Sequence, residues 1–222
     1  MICSHLYDAI MKIIFIFLFL FLLPLTTFAK SIENFDSRDL GKLPVDWRTW
    51  PLQRKKATRV YKVVQEEKNR FLRAKDNQNF SVQVLRHFEW DVKKYPVLSW
   101  KWRAQELPKG AKESDDGRND SACGVYVIVD RNKGHALKYV WSSSLPENTV
   151  ITRKEGKLKI KVLTSGEKEK GKWIEHTVNV ITDYQKLFGV PLKKNPTGIA
   201  LLTDGNATKT SAACDYDDFI LN

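Results

Sequence analysis

The run Pro96-Val97-Leu98-Ser99-Trp100-Lys101-Trp102-Arg103 constrains the fold of this chain more than any other segment. In an extended backbone Leu98, Trp100 and Trp102 share one side, and Ser99, Lys101 and Arg103 the other. Strict period-two alternation marks a strand with one covered face and one wet face. Similar runs recur at short spacing. Phe80, Val82 and Val84 oppose Ser81 and Gln83, and Leu158, Ile160 and Val162 oppose Lys157, Lys159 and Lys161. Strands are expected over 32–36, 58–65, 70–75, 80–90, 97–103, 122–130, 136–141, 158–163, 173–180, 198–203 and 217–221. Turns rich in Gly, Pro, Asn and Asp separate them. Many short strands with such turns indicate an all-β sandwich or barrel in a single domain, here a sandwich of jelly-roll or galactose-binding-like type. One helix is expected near 182–189, with Thr182 as its N-cap and Gly189 just past its end.

The first residues read as an export signal. One positive charge (Met11-Lys12) precedes the apolar run from Ile13 to Leu23, and Thr27-Phe28-Ala29 offers small residues at a cleavage site after Ala29. Met1 to Ile10 reads as an upstream extension. The apolar run is about 11 residues, short of the ~18–20 that cross a bilayer, so no transmembrane span is expected after cleavage. Residues 1–29 are then a signal peptide and 30–222 the mature domain, placed in the periplasm or outside the cell. Of three cysteines, Cys3 falls in the signal. Cys123 and Cys214 remain, either as a disulfide suited to an oxidising compartment or as two separate small core residues. A bond closing a loop of about 90 residues would add about 4–5 kcal/mol.

The net charge of +11 favours acidic partners: phosphate-rich envelope lipid, anionic polysaccharide or nucleic acid. Lysines occur singly and in pairs, without a dense arginine–aromatic patch, so no specific nucleic-acid site is expected.

The pieces of this chain, taken in order, resemble the bacterial exported family called domain of unknown function 3047. They are Gly41-Lys42-Leu43-Pro44 with Trp47-Arg48, then 98–103, Asn119-Asp120-Ser121-Ala122 before Val125-Tyr126-Val127, and Leu137-Lys138-Tyr139-Val140-Trp141. Trp173, Asp183-Tyr184 with Phe188-Gly189, Leu202-Thr203-Asp204 and Tyr216-Asp217-Asp218-Phe219 follow. The resemblance spans nearly all of the mature chain. It implies an exported β-sandwich and brings no activity with it. The chain departs from the family where two acids tend to replace Asn119-Asp120 and an arginine lies near Gly124.

Two kinds of site are expected. Sugar rings present apolar C–H faces that stack on flat aromatic rings, while polar neighbours take the hydroxyls. Trp102, Tyr139 and Trp141 with Lys101, Arg103 and Asp120 are the candidates for such a site, although Trp100 and Trp102 suit the core face of a large sandwich better. The chain ends carry an oxygen cluster, Glu33 and Asp36 near the start and Asp217 and Asp218 near the finish. Glu33, Asp36 and Asp218 would hold a structural Ca²⁺ if the first and last strands were neighbours. The loop from Glu113 to Asp120 is rich in oxygens but lacks an EF-hand spacing. No cofactor is otherwise expected. No Gly-x-Ser-x-Gly elbow, zinc spacing or diagnostic carboxylate pair appears. The leading expectation is a non-catalytic module that binds carbohydrate or envelope glycan. The alternatives are a polysaccharide hydrolase or lyase, and a structural envelope protein on anionic surfaces.

Overall fold

The computed structural model describes residues 29–130 and 133–222. The expected export signal lies outside the described residues apart from Ala29. Two sheets stack face to face. The first has the order β11 (Ile174–Asn179), β6 (Val97–Glu106), β13 (Ala212–Leu221), β4 (Asn69–Asp76) and β3 (Tyr61–Glu66), with β1 (Lys30–Glu33) also pairing with β13. The second has the order β2 (Trp47–Arg48), β5 (Val84–His87), β12 (Gly198–Leu201), β7 (Cys123–Asp130), β8 (His135–Ser142), β10 (Leu158–Ser165) and β9 (Val150–Arg153). All pairings are antiparallel except β8 with β10. The two-sheet sandwich read from the alternating runs is the fold the chain forms.

The core lies between the sheets. Leu98, Trp100 and Trp102 of β6 and Leu137, Tyr139 and Trp141 of β8 are all 0% exposed. Burying rings of this size removes ~150–250 Å² of apolar surface each, about 4–6 kcal/mol apiece at the usual area coefficient. Trp100 and Trp102 meet edge-to-face at 5.5 Å, and Trp141 lies 6.4 Å from Trp102 across the sandwich. The sheets are also pinned by polar links. Tyr61 donates to Val82 O at 2.7 Å, Tyr216 accepts from Gly124 N at 3.0 Å, and Cys123 of β7 is bonded to Cys214 of β13.

Several elements differ from the sequence reading. Residues 58–60 belong to a helix, α1 (Arg54–Val60), not to a strand. Pro51 opens a 3₁₀ turn, the Arg-Lys-Lys-Ala stretch favours helix, and Ala57 and Val60 bury one face. Only Val84–His87 of the expected 80–90 strand pairs. The Asp76 carboxylate accepts from the backbone of Gln78, Phe80 and Ser81, and Asn79 and Ser81 take positive φ, which bends the chain out of extension. The second helix, α2 (Val180–Phe188), starts earlier than expected, capped by Asn179, whose side chain accepts from Thr182 N at 3.0 Å. Gly189, at φ 73°, ends it as expected.

A candidate binding groove on the second sheet

The centre of the outward face of the first sheet is filled by its own charges. The register sets Asp215 of β13 opposite both Arg73 of β4 and Arg103 of β6. Its fully buried carboxylate accepts from Arg73 (2.7 Å), Arg103 (2.9 Å) and Gln105 (2.8 Å), and Glu66 joins both guanidiniums from outside. Arg103 also lies over the Trp173 ring at 4.7 Å. Lys101 pairs with Asp218 at 2.9 Å beside a depression of about 360 Å³ that Asp217 also lines. Burial raises the Asp217 carboxyl to about 7.

The outward face of the second sheet differs. Tyr126 and Ile128 of β7, Ala136 and Val140 of β8, and Leu85 of β5 make it apolar, and Leu158 and Ile160 of β10 add a second wall. Two pockets of about 600 Å³ and 470 Å³ share Tyr126, Lys154 and Leu158, so they are adjoining halves of one groove. The upper half is rimmed by Arg48, Thr49, Trp50 and Pro51 and holds His87 and His135. Trp50 is 73% exposed, whereas Trp47, Trp90, Trp100, Trp102 and Trp141 are buried. His135 Nδ1 lies 3.2 Å from Tyr184 Oη, and its ring stacks on Phe188.

The lower half is polar at its base. Lys138, on the outward face of β8, is 4% exposed. Its ammonium donates to Ser121 Oγ at 3.5 Å, and Ser121 in turn donates to Glu113 at 3.2 Å. Asp204 accepts from Ser121 N and from Ser81 Oγ, both at 3.2 Å. Burial raises the Asp204 carboxyl to about 6, with Lys138 pulling against that shift. Burial likewise raises Glu113. For Lys138, burial pulls the pKa down, but Tyr126, Asp204 and Glu113 together outweigh it and leave it raised.

The residues expected to bind ligand are not brought together. Trp102, Tyr139 and Trp141 are fully buried between the sheets and present no ring to the surface. Tyr139 donates to Asp183 at 3.0 Å and Trp141 to Gly166 O at 3.0 Å. Asp120 is also fully buried. It accepts from Ala207 N, Thr208 N and Thr208 Oγ1, and so pins the 205–210 loop. Lys101 and Arg103 lie on the opposite side of the molecule from the groove, each already paired. The Ca²⁺ expectation fares the same way. β1 and β13 are neighbours, but Glu33 accepts from Arg38, Arg86 and Trp47, Asp36 accepts from Asn34, and Asp218 is held by Lys101. Among the described residues no group of three or more His, Cys, Asp or Glu side chains is placed to hold a metal ion. Tyr126, Lys138 and Asp204 stand in the stretches that carry the family resemblance, but neither they nor Trp50 were among the expected site residues. The one available signal was Lys138 between Ala136 and Val140, a lone charge on an otherwise apolar face.

The family model for a protein of unknown function, DUF3047, matches residues 45–220. The chain belongs to this family. Every groove residue named above falls inside the matched stretch of this DUF3047 member. No curated protein matches it. Similar solved structures include the xyloglucanase domain of NopAA, a type three effector from Sinorhizobium fredii, in complex with cellobiose. That match has 11% identity and a TM-score of 0.42, covering 73% of this chain and 86% of that one. The family 11 carbohydrate-binding module of the Clostridium thermocellum cellulase Lic26A-Cel5E gives 10%, 0.43, 87% and 94% on the same measures. Endoglucanase 3 of Trichoderma harzianum, from family GH12, gives 9%, 0.43, 73% and 83%. Identities this low transfer no site residue to the DUF3047 member.

Proposed function

We propose that this protein is an exported glycan-binding β-sandwich whose ligand lies along the groove of the second sheet. The observation that carries the reading is the groove itself: two joined halves with Tyr126 in both, an exposed Trp50 on the rim and polar groups spread along the walls. A sugar chain needs that mixture, flat rings for its C–H faces and scattered donors and acceptors for its hydroxyls. The signal-like start and the Cys123–Cys214 bond support export to an oxidising compartment. Calorimetry of residues 30–222 against neutral and acidic hexasaccharides tests the reading. Trp50→Ala should bind about three- to tenfold more weakly at unchanged melting temperature. Absence of binding to every hexasaccharide, or an inert Trp50→Ala, would sink it.

One observation favours an enzyme as second reading. A carboxyl near pH 6 in a groove, beside Tyr126 and Lys138, suits proton transfer. However, glycosidases work with two carboxyls flanking the bond. The other carboxylate lining the groove, Asp116, is paired with Arg153, and Glu113 sits behind Ser121 and Ser142. Release of reducing ends or unsaturated products, lost in Asp204→Asn, would replace the binding reading with this one.

A further inference from the structure

We propose that the lower half of the groove is a subsite for the single carboxylate of an acidic sugar, held by the Lys138 ammonium; this rests on the glycan-binding reading above. Lys138 is buried with three N–H donors, and among the described residues its hydrogen-bonding partners are Ser121 Oγ, at 3.5 Å, and the Tyr126 hydroxyl, so it has a donor to spare. The Tyr126 ring lies 5.3 Å from the ammonium. Among the described residues no carboxylate forms an ion pair with it. Three other cations of the strands are matched, Lys161 with Asp183, Lys101 with Asp218, and Arg103 with Asp215. A buried ammonium with a donor to spare is unfavourable unless something pairs with it, and Lys138 lines an open pocket.

The surroundings are built around this lysine. It crosses Gly124, where an added Cβ would sit 3.1 Å from Lys138 Cε and 2.9 Å from Leu202 O. Any side chain at 124 would therefore push the lysine aside. Leu158, Ile160 and Leu202 offer an apolar wall for a ring, while Asn119 and Asn206 offer amides.

The same pocket limits the charge it accepts. Asp204 and Asp116 line it, and Asp116 is already paired with Arg153. A doubly charged phosphate would face two carboxyls across a small space. A carboxylate brings one charge, and Asp204, with its raised pKa, takes up a proton as that charge arrives. Lys154 at the mouth adds attraction from outside.

The test uses hexamers of galacturonate, mannuronate and glucuronate, each as free acid and as methyl ester, with cellohexaose as neutral reference. The wild-type chain should bind at least one free acid about tenfold or more tighter than its ester, the scale of a hydrogen-bonded charge pair. That preference should weaken with salt, and Lys138→Met should equalise acid and ester while still binding the ester. If cellohexaose or the esters bind and no acid is preferred, the subsite is overturned and the glycan reading stands. If no oligosaccharide binds, both fail. The acid–ester comparison needs only wild-type protein, so a poorly folding Lys138→Met leaves the outcome readable.

Discussion

The two outward faces of the sandwich are built from the same kind of strand and end in opposite states. On the first sheet, register alone brings Asp215 between Arg73 and Arg103, and Glu66 completes the set. Each of these four charges has its partner, and the centre of the face is filled. On the second sheet the outward face is apolar, one lysine is buried in it with a donor to spare, and the surface opens into a groove. Charge on a strand therefore says little by itself about function. Whether that charge is already matched is what separates a structural face from a receptive one.

The sharpest way to break this contrast is to remove the central carboxylate. Asp215→Ala strands two guanidiniums, both partly wet and able to lean on Glu66, so a loss of about 3 kcal/mol is expected in urea unfolding. Sugar binding should be unaffected by that change. Lys138→Met removes a buried cation that forms no ion pair among the described residues, giving up the attraction of Asp204 and Glu113 but also its burial cost, and stability should stay within about 1 kcal/mol of wild type. A loss as large as that of Asp215→Ala would mean that Lys138 is a structural charge after all.

A smaller effect sharpens the same contrast by pH. The groups facing Asp204 are Lys138 on β8, Tyr126 on β7, Asp120 in the preceding loop, and Tyr61 and Tyr216 from the first sheet. Its carboxyl rises from 3.8 to about 6 on folding, so the native state holds a proton that the unfolded state releases. Its contribution to stability is full below about pH 4 and is lost as pH rises through about 6. The stability difference between wild type and Asp204→Asn should therefore move against wild type across that window. Carboxyl carbon shifts should place the Asp204 midpoint near 6, and higher in Lys138→Met, because Lys138 pulls it down.

The fold was legible where alternation was long. β6 and β8 each carry three large inward apolar residues, and the sheet had no other way to bury them; β10 alternates as clearly, but its Leu158, Ile160 and Val162 lie on the groove side. β2 and β9 were missed because two and four residues give no period to read. The helix at 54–60 was hidden by β-branched Thr58 and Val60, which tertiary burial overrides. The candidate site was far less legible. Alternation gives two faces and cannot say which of them water reaches. It set Lys138 on the wet side opposite Tyr139 and Trp141, but Tyr126, Val140, Leu158 and Ile160 pack together on that side, and Lys138 is buried at the base of a groove. The aromatic stripe that first suggested a ligand is the core, and the exposed ring, Trp50, lies in a short irregular segment with no pattern at all.

The bond between Cys123 and Cys214 joins the two layers, and both residues sit where no solvent reaches. A thiol reagent can attack only when the layers part. In native buffer, then, the reduction rate of this one bond serves as a clock for whole-molecule opening. A glycan seated in the groove should slow that clock in proportion to how much it tightens the layer beneath it.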